Sequence, residues 1–206
     1  MLQAAGPPSP TADTLLVRSI GQPPPPAGGI DSAWGRPQVS IPTDQGDAAV
    51  WLLRAADTLF VIARIPDRSR SWTDAVTVCL DASGDGGGSP GHDDFQWSFR
   101  RTLDSSVVSR GRGGRWAPPL GDPDWRLGTA RGGGGWEVGQ TDAPEGWQVV
   151  LRLDPAWLEG QAGRRPAIAF LLHDNDPSRW YPWPPQATSA GASLVERTPA
   201  LWVPIR

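Results

Sequence analysis

The chain predicts an all-β protein: a β-sandwich of two antiparallel sheets, of the jelly-roll or immunoglobulin-like kind, with at most one short helix. Three observations carry this. Strand-length apolar or alternating runs recur at roughly ten-residue intervals, bounded by Gly, Pro and Asp clusters. The 206 residues include 25 Gly and 23 Pro, which leaves few windows free of helix breakers. No segment repeats at the period of a propeller blade or solenoid turn.

The elements follow in order. Residues 1–29 read as a flexible Pro/Gly-rich segment, within which TLLVRSI (14–20) can add one edge strand and GQPPPPAGGI (21–30) is stiff and extended. Residues 30–206 read as a single sandwich domain. Its strand runs are QVSI (38–41), AAVWLLRA (48–55), TLFVIARI (58–65), AVTVCLD (75–81), DFQWSFRR (94–101), SSVVSR (105–110), WQVVLRL (147–153), AIAFLLHD (167–174) and LWVPI (201–205). Ala56 and Asp57 alone separate two of these runs, which predicts a two-residue hairpin. DPAWLEGQ (154–161) is the helical candidate: Asp154 can cap it, Pro155 suits its first turn and Gly160 can stop it. The glycine-rich stretch 111–146, with Trp116, Trp125 and Trp136 in it and Trp147 just beyond, is expected to form irregular strands and loops over one face.

Composition then removes function classes. A net charge of −3 lacks the basic face that nucleic acid or an anionic membrane surface requires. All 19 basic residues are Arg, so there is neither a Schiff-base lysine nor a P-loop lysine. Cys79 is the single cysteine, which excludes an intramolecular disulfide and a thiolate metal cluster; inside VTVCL it reads as a small buried hydrophobe. The start MLQAAGPPSP has neither the basic nor the apolar region of a signal peptide, and no apolar run is long enough to span a bilayer.

Twelve tryptophans against one Tyr and four Phe form the largest anomaly of composition. An indole offers a wide polarizable face to stack on a pyranose and an N–H at its edge, but it also fills sandwich cores. Trp51 and Trp97, inside strand runs, read as core. Trp72 and Trp180 stand in the polar contexts RSRSWTD and DPSRWYPWPP, where core packing and a ligand platform are both open.

Carboxylates cluster in two loops. One follows AVTVCLD and carries Asp81, Asp85, Asp93 and Asp94 among glycines; the other is HDND, with Asp174. Hard oxygen ligands on a glycine-permissive backbone suit calcium, and DASGDG partly matches the start of an EF-hand loop, without its terminal Glu or flanking helices. Asp and Gly are equally the ordinary residues of hairpin turns. No pair of acids is fixed at glycosidase geometry, no GxSxG elbow is present, and His92 and His173 are the only histidines, too few for a convincing zinc site.

Read in order, IDSAWGRPQVSIPT, DTLFVIARIPD, WTDAVTVCLDASGD, HDDFQWSFR, EGWQVVLRLDPAWL and AFLLHDND with RWYPWP, the chain from about residue 30 onward resembles the family-9 carbohydrate-binding modules and their DOMON-like relatives. The resemblance implies a sandwich that holds a sugar ring between two tryptophans with structural calcium ions nearby. By position these are Trp72 and Trp180, with Asp67, Arg100, Gln148 and Asn175 near the polar sugar contacts, and Asp81, Asp85, Asp93 and Asp174 as candidate calcium ligands. Two acids of the family pattern are absent: Thr77 and Val78 stand at one position, Val149 or Val150 at the other. A hydroxyl acceptor is thereby lost, and the ligand is expected to differ from the family's usual one. Haem-binding relatives use Met, Lys or His; this chain has only Met1, no Lys and two His, which makes haem a remote third reading.

The expectation is a non-catalytic, extracellular or periplasmic module that binds an oligo- or polysaccharide, linked to a glycoside hydrolase or a surface protein, without nucleic acid and without membrane insertion. The loop after AVTVCLD is expected to rim its sugar site. The alternative is a structural or protein-interaction sandwich whose tryptophans are all core.

Overall fold

The structure, a computed structural model, describes residues 14–25, 32–101, 105–117, 135–154, 164–175, 178–185 and 193–206. Two sheets face each other. The first contains β1 (Arg18–Ser19), β2 (Val39–Thr43), β3 (Gly46–Ala55), β4 (Thr58–Pro66), β9 (Trp136–Ala143) and β10 (Gly146–Leu153), in the order β1-β3-β4-β10-β9 with β2 also on β3. The second contains β5 (Ala75–Asp81), β6 (Asp94–Arg100), β7 (Ser105–Arg112), β8 (Arg115–Ala117), β11 (Ala167–Asn175), β12 (Ser178–Trp183) and β13 (Val203–Pro204), in the order β12-β11-β5-β6-β7-β8 with β13 on β11.

The period-2 rule places alternate side chains of each strand in the space between the sheets. Leu59, Val61, Ala63 and Ile65 of β4 meet Val76, Val78 and Leu80 of β5, Phe95, Trp97 and Phe99 of β6, and Ile168, Phe170 and Leu172 of β11 in one core. Trp51 and Trp97, read as core, are 4 % and 0 % exposed. The runs AAVWLLRA and TLFVIARI are apolar on both faces because β3 and β4 are central: their outer face carries Trp51, Leu53, Phe60 and Ile62 under Trp34 and Ile20. A third cluster lies on the outer face of the second sheet, where Cys79, Ala167 and Ala169 are covered by Val195 of the helix α1 (Ser193–Arg197) and by Trp202. Burial pushes the Cys79 thiol well up, so it is an inert apolar side chain.

Two local expectations change. The sheets are not wholly antiparallel: β1 pairs parallel with β3, and Leu15 bridges Ile205 in the same sense. Residues 14–20 run from the edge of one sheet to the edge of the other, with Leu15 N–H donating to Pro204 O and Ile20 N–H to Arg54 O. LWVPI is a strand only at Val203–Pro204, since Pro199–Leu201 winds into a 3-10 turn with proline at its start. The helix expected at 154–161 falls mostly outside the described residues; the helix that is described, α1, sits elsewhere and caps the third cluster.

The hairpin at Ala56–Asp57 is present, with Ala55 opposite Thr58. The connection from β4 to β5, residues 67–74, crosses between the sheets at one end of the sandwich. It is this crossover that carries Trp72.

Candidate functional site

In an antiparallel sheet, residues directly opposite each other project from the same face. The register therefore sets a row across the outer face of the second sheet: Trp180 on β12, His173 on β11, Ala75 on β5 and Arg100 on β6. Three strand spacings make the backbone distance from Trp180 to Arg100 about 14 Å. Helix α1 covers the other end of this face but not this one, and Ala75, with only a methyl group, leaves a low floor between His173 and Arg100.

Trp72 and Trp180 are exposed, at 64 % and 48 %; the other tryptophans among the described residues are buried or half-buried. His173 connects the two. Its imidazole stacks on the Trp180 indole with ring centres 3.9 Å apart and planes 17° apart. Its Nδ1 lies 2.9 Å from the carbonyl of Thr73, next to Trp72, and its Nε2 lies 3.1 Å from Ser178 Oγ. One face of Trp180 is thus braced from the protein side.

The turn that presents Trp72 is pinned from below. Both oxygens of the buried Asp74 accept backbone N–H bonds, from Ser71 at 2.7 Å and from Asn175 at 3.2 Å. Asn175 Nδ2 donates to Ser71 Oγ at 2.8 Å. Burial, with Asp67 close by, raises the Asp74 carboxyl to about 6. Beneath the turn, Arg101 is the keystone: Nη1 donates to Asp67 Oδ2 at 2.9 Å and Ser69 O at 2.6 Å, Nε to Asp142 Oδ1 at 2.8 Å and Nη2 to Gly146 O at 3.3 Å. At Gly146 the chain passes so close that a Cβ would stand 2.0 Å from Ile65 O.

Of the predicted sugar contacts, the structure brings Trp72, Trp180, Arg100 and Asn175 to one end of the sandwich. Asp67 is there too, but only 3 % exposed and committed to Arg101, Gln45 and Ser69. It lines a cavity of about 10 Å³ with Asp174 and Tyr181, too small for a sugar. Asn175 spends its amide on Ser71. Gln148 is elsewhere: opposite Arg64 and Thr141 it projects from the outer face of the first sheet, because Trp147 and Val149 on either side of it fill the core.

The four predicted metal residues divide. Asp174 stands at the Trp180 end of β11, where Gln45 Nε2 donates to it at 3.0 Å. Asp81, Asp85 and Asp93 lie at the opposite end of β5, six residues and about 20 Å along the strand from Ala75. The loop between β5 and β6 consequently does not rim the tryptophan site, contrary to the expectation; β5 itself separates them. His92 lies in that distant loop, so the two histidines cannot share a metal ion.

At that far end, carboxylate oxygens of Asp81, Asp85 and Asp93 lie within 4.8 Å of one another. Asp81 accepts N–H bonds from Gly84 at 2.6 Å and Gly86 at 2.9 Å, and Ser83 bonds Asp93. Gly84, at φ +68°, passes so near Arg165 O that no side chain fits. Asp94 lies directly opposite Asp81, 1 % exposed; Oδ2 accepts from Gly91 N–H while Oδ1 has no partner among the described residues. Burial, then the charges of Asp81, Asp93 and Asp85, raise Asp94 to about 7. Three clustered carboxylates beside an orphaned buried carboxyl oxygen fit a hard divalent cation.

Arg101 and His173 were the contributors that residue type alone did not single out. Period 2 carried the signal for the first: with Phe95, Trp97 and Phe99 inward, Arg101 continues inward while Arg100 turns out.

No protein-family model matches the sequence, and no curated protein matches it either. Solved structures do match in fold. A family-9 carbohydrate-binding module from Caldicellulosiruptor kristjanssonii in complex with cellotriose aligns with a TM-score of 0.63 and 18% identity over 94% of this chain and 93% of that one. A structure of a family-9 module from the same organism with glucose aligns with a TM-score of 0.60 and 17% identity, over 94% and 96%. The resemblance seen in the sequence holds at the level of the fold.

Proposed function

We propose that this sandwich is a non-catalytic carbohydrate-binding module that holds a pyranose against Trp180 and Trp72. The observation that carries the reading is the pair of exposed indoles joined through His173, on a fold shared with modules seen with cellotriose and glucose. A solvent-exposed indole forgoes the burial that stabilises the other tryptophans, and a braced, exposed indole is what a sugar-stacking surface requires. Polar contacts would come from the open side of the row, above Ala75, where Arg100 projects.

Calcium belongs to the same proposal as a structural ion. Asp81, Asp85 and Asp93, with Asp94 Oδ1 as the orphaned fourth donor, would hold it at the end remote from the sugar, cross-linking the ends of β5 and β6. Such a domain would work outside the cell, attached to a glycoside hydrolase or a surface protein. No helix among the described residues is long and apolar enough to cross a membrane.

The test is titration calorimetry against a panel of neutral and acidic oligosaccharides, with Trp72→Ala and Trp180→Ala alongside. Each variant is expected to keep the wild-type melting temperature and to lose about 2 kcal/mol or more of binding energy, roughly 30-fold in Kd. A folded protein that binds no sugar on the panel would leave the protein-interaction reading in its place.

A further inference from the structure

We infer that the sugar this site takes is an acidic one, a pyranose bearing a carboxylate such as a uronate, rather than neutral glucose. The inference rests on the sugar-binding reading and concerns which polar groups remain available once the structure has used its own.

The aspartates and the Thr73 carbonyl around the tryptophans are consumed. Asp67 is buried and accepts from Arg101, Gln45 and Ser69. Asp74 is 1 % exposed with both oxygens on backbone N–H groups. Asp174 accepts from Gln45, and the Thr73 carbonyl is engaged by His173. Thr77, where an acid of the family pattern is missing, is buried and bonds only Ser98. Asp44 and Asp142 are more open but lie in ion pairs, with Arg179 at 2.7 Å and with Arg70 at 3.1 Å and Arg101.

On the row from Trp180 to Arg100, what stays uncommitted is cationic. Arg100 shares the face of Trp180 and His173 across the Ala75 floor, and Arg68 lies on the crossover four residues before Trp72; both are exposed, and neither guanidinium has a partner among the described residues. A neutral pyranose presents hydroxyls that seek acceptors as much as donors. An arginine fork with nothing to donate to matches a carboxylate, which accepts two parallel N–H bonds and donates none.

The experiment is calorimetry of glucose against glucuronate and of cellotriose against oligogalacturonate, at low and high salt, on the full chain and on Arg100→Gln, Arg68→Gln and Trp180→Ala. The expected result is an affinity for the uronates about tenfold above that for the neutral sugars, falling with added salt. Arg100→Gln, which keeps hydrogen-bond donation without the charge, should erase the preference, with a smaller effect from Arg68→Gln, and Trp180→Ala should abolish binding of both classes. Neutral sugars binding as tightly as uronates through Trp180, with Arg100→Gln unaltered, would overturn this inference and leave the module reading intact. Absence of binding to both classes would overturn both.

Discussion

Arg101 is the residue whose loss the structure predicts to be most costly. Its side chain is 6 % exposed and ties three segments together: Asp67 and Ser69 of the crossover, Asp142 of β9 and Gly146 of β10. In Arg101→Met the aliphatic bulk remains, but the Asp67 carboxylate, 3 % exposed, is left in the interior without its cation and within reach of Asp74. Removing one partner of a buried ion pair costs about 3–5 kcal/mol, a large share of the roughly 5–15 kcal/mol that holds a typical domain folded. The second pair, with Asp142, adds little because that carboxylate is 40 % exposed and regains water. Equilibrium urea unfolding measures the loss as a drop in midpoint at constant slope. Two controls make the reasoning refutable. Arg70→Met, which breaks the exposed pair with Asp142, should cost about 1 kcal/mol or less. Adding Asp67→Asn to Arg101→Met should recover much of the loss, since the amide oxygen still accepts from Gln45 and Ser69 without a buried charge. If Arg101→Met is no worse than Arg70→Met, or if the second change recovers nothing, the account of a buried pair supporting the crossover is wrong.

Two further predictions concern pH and metal. Because Asp74 is raised above its ordinary carboxylate value to about 6, the folded chain binds its proton more tightly than the unfolded chain. Its contribution to stability is therefore fully present below about pH 4 and is lost as pH rises to about 6, so the melting temperature of the wild type should show a component falling across that window. Asp74→Asn should lack that component; an identical pH profile would exclude Asp74 as its source. Saturating calcium should raise the melting temperature, with about 2.7 kcal/mol gained at a hundredfold excess over Kd, and Asp85→Asn with Asp93→Asn should remove the rise. Melting curves that superimpose in calcium and in chelator would remove the ion from the proposal.

The fold class was legible in the sequence because it rests on local information. Period-2 alternation, Gly and Pro punctuation and two-residue turns act over a few residues, and they placed β2 to β7, β10 and β11 with the hairpin at Ala56–Asp57, whereas β8, β9 and β12 were not among the runs. The continuous apolar runs of β3 and β4 belong to strands covered on both faces. Composition excluded lysine chemistry and an intramolecular disulfide because these are counts, and no fold can add a missing residue.

Which side chains meet is a property of register and crossover, and only the tertiary structure decided it. Asp67 and Asp174 carry the right chemistry for ligand or metal, yet the closure of the two sheets buries the first beneath Arg101 and sets the second at the opposite end of the sandwich from Asp81. Gln148 fell on the far face because its neighbours Trp147 and Val149 claim the core. His173, one of only two histidines in the sequence, became the link between Trp72 and Trp180 because strand pairing opposes it to Trp180 while the crossover lowers Thr73 onto its ring nitrogen. The residue types were fixed locally; their partnership depends on contacts about a hundred residues apart along the chain, which no local pattern encodes.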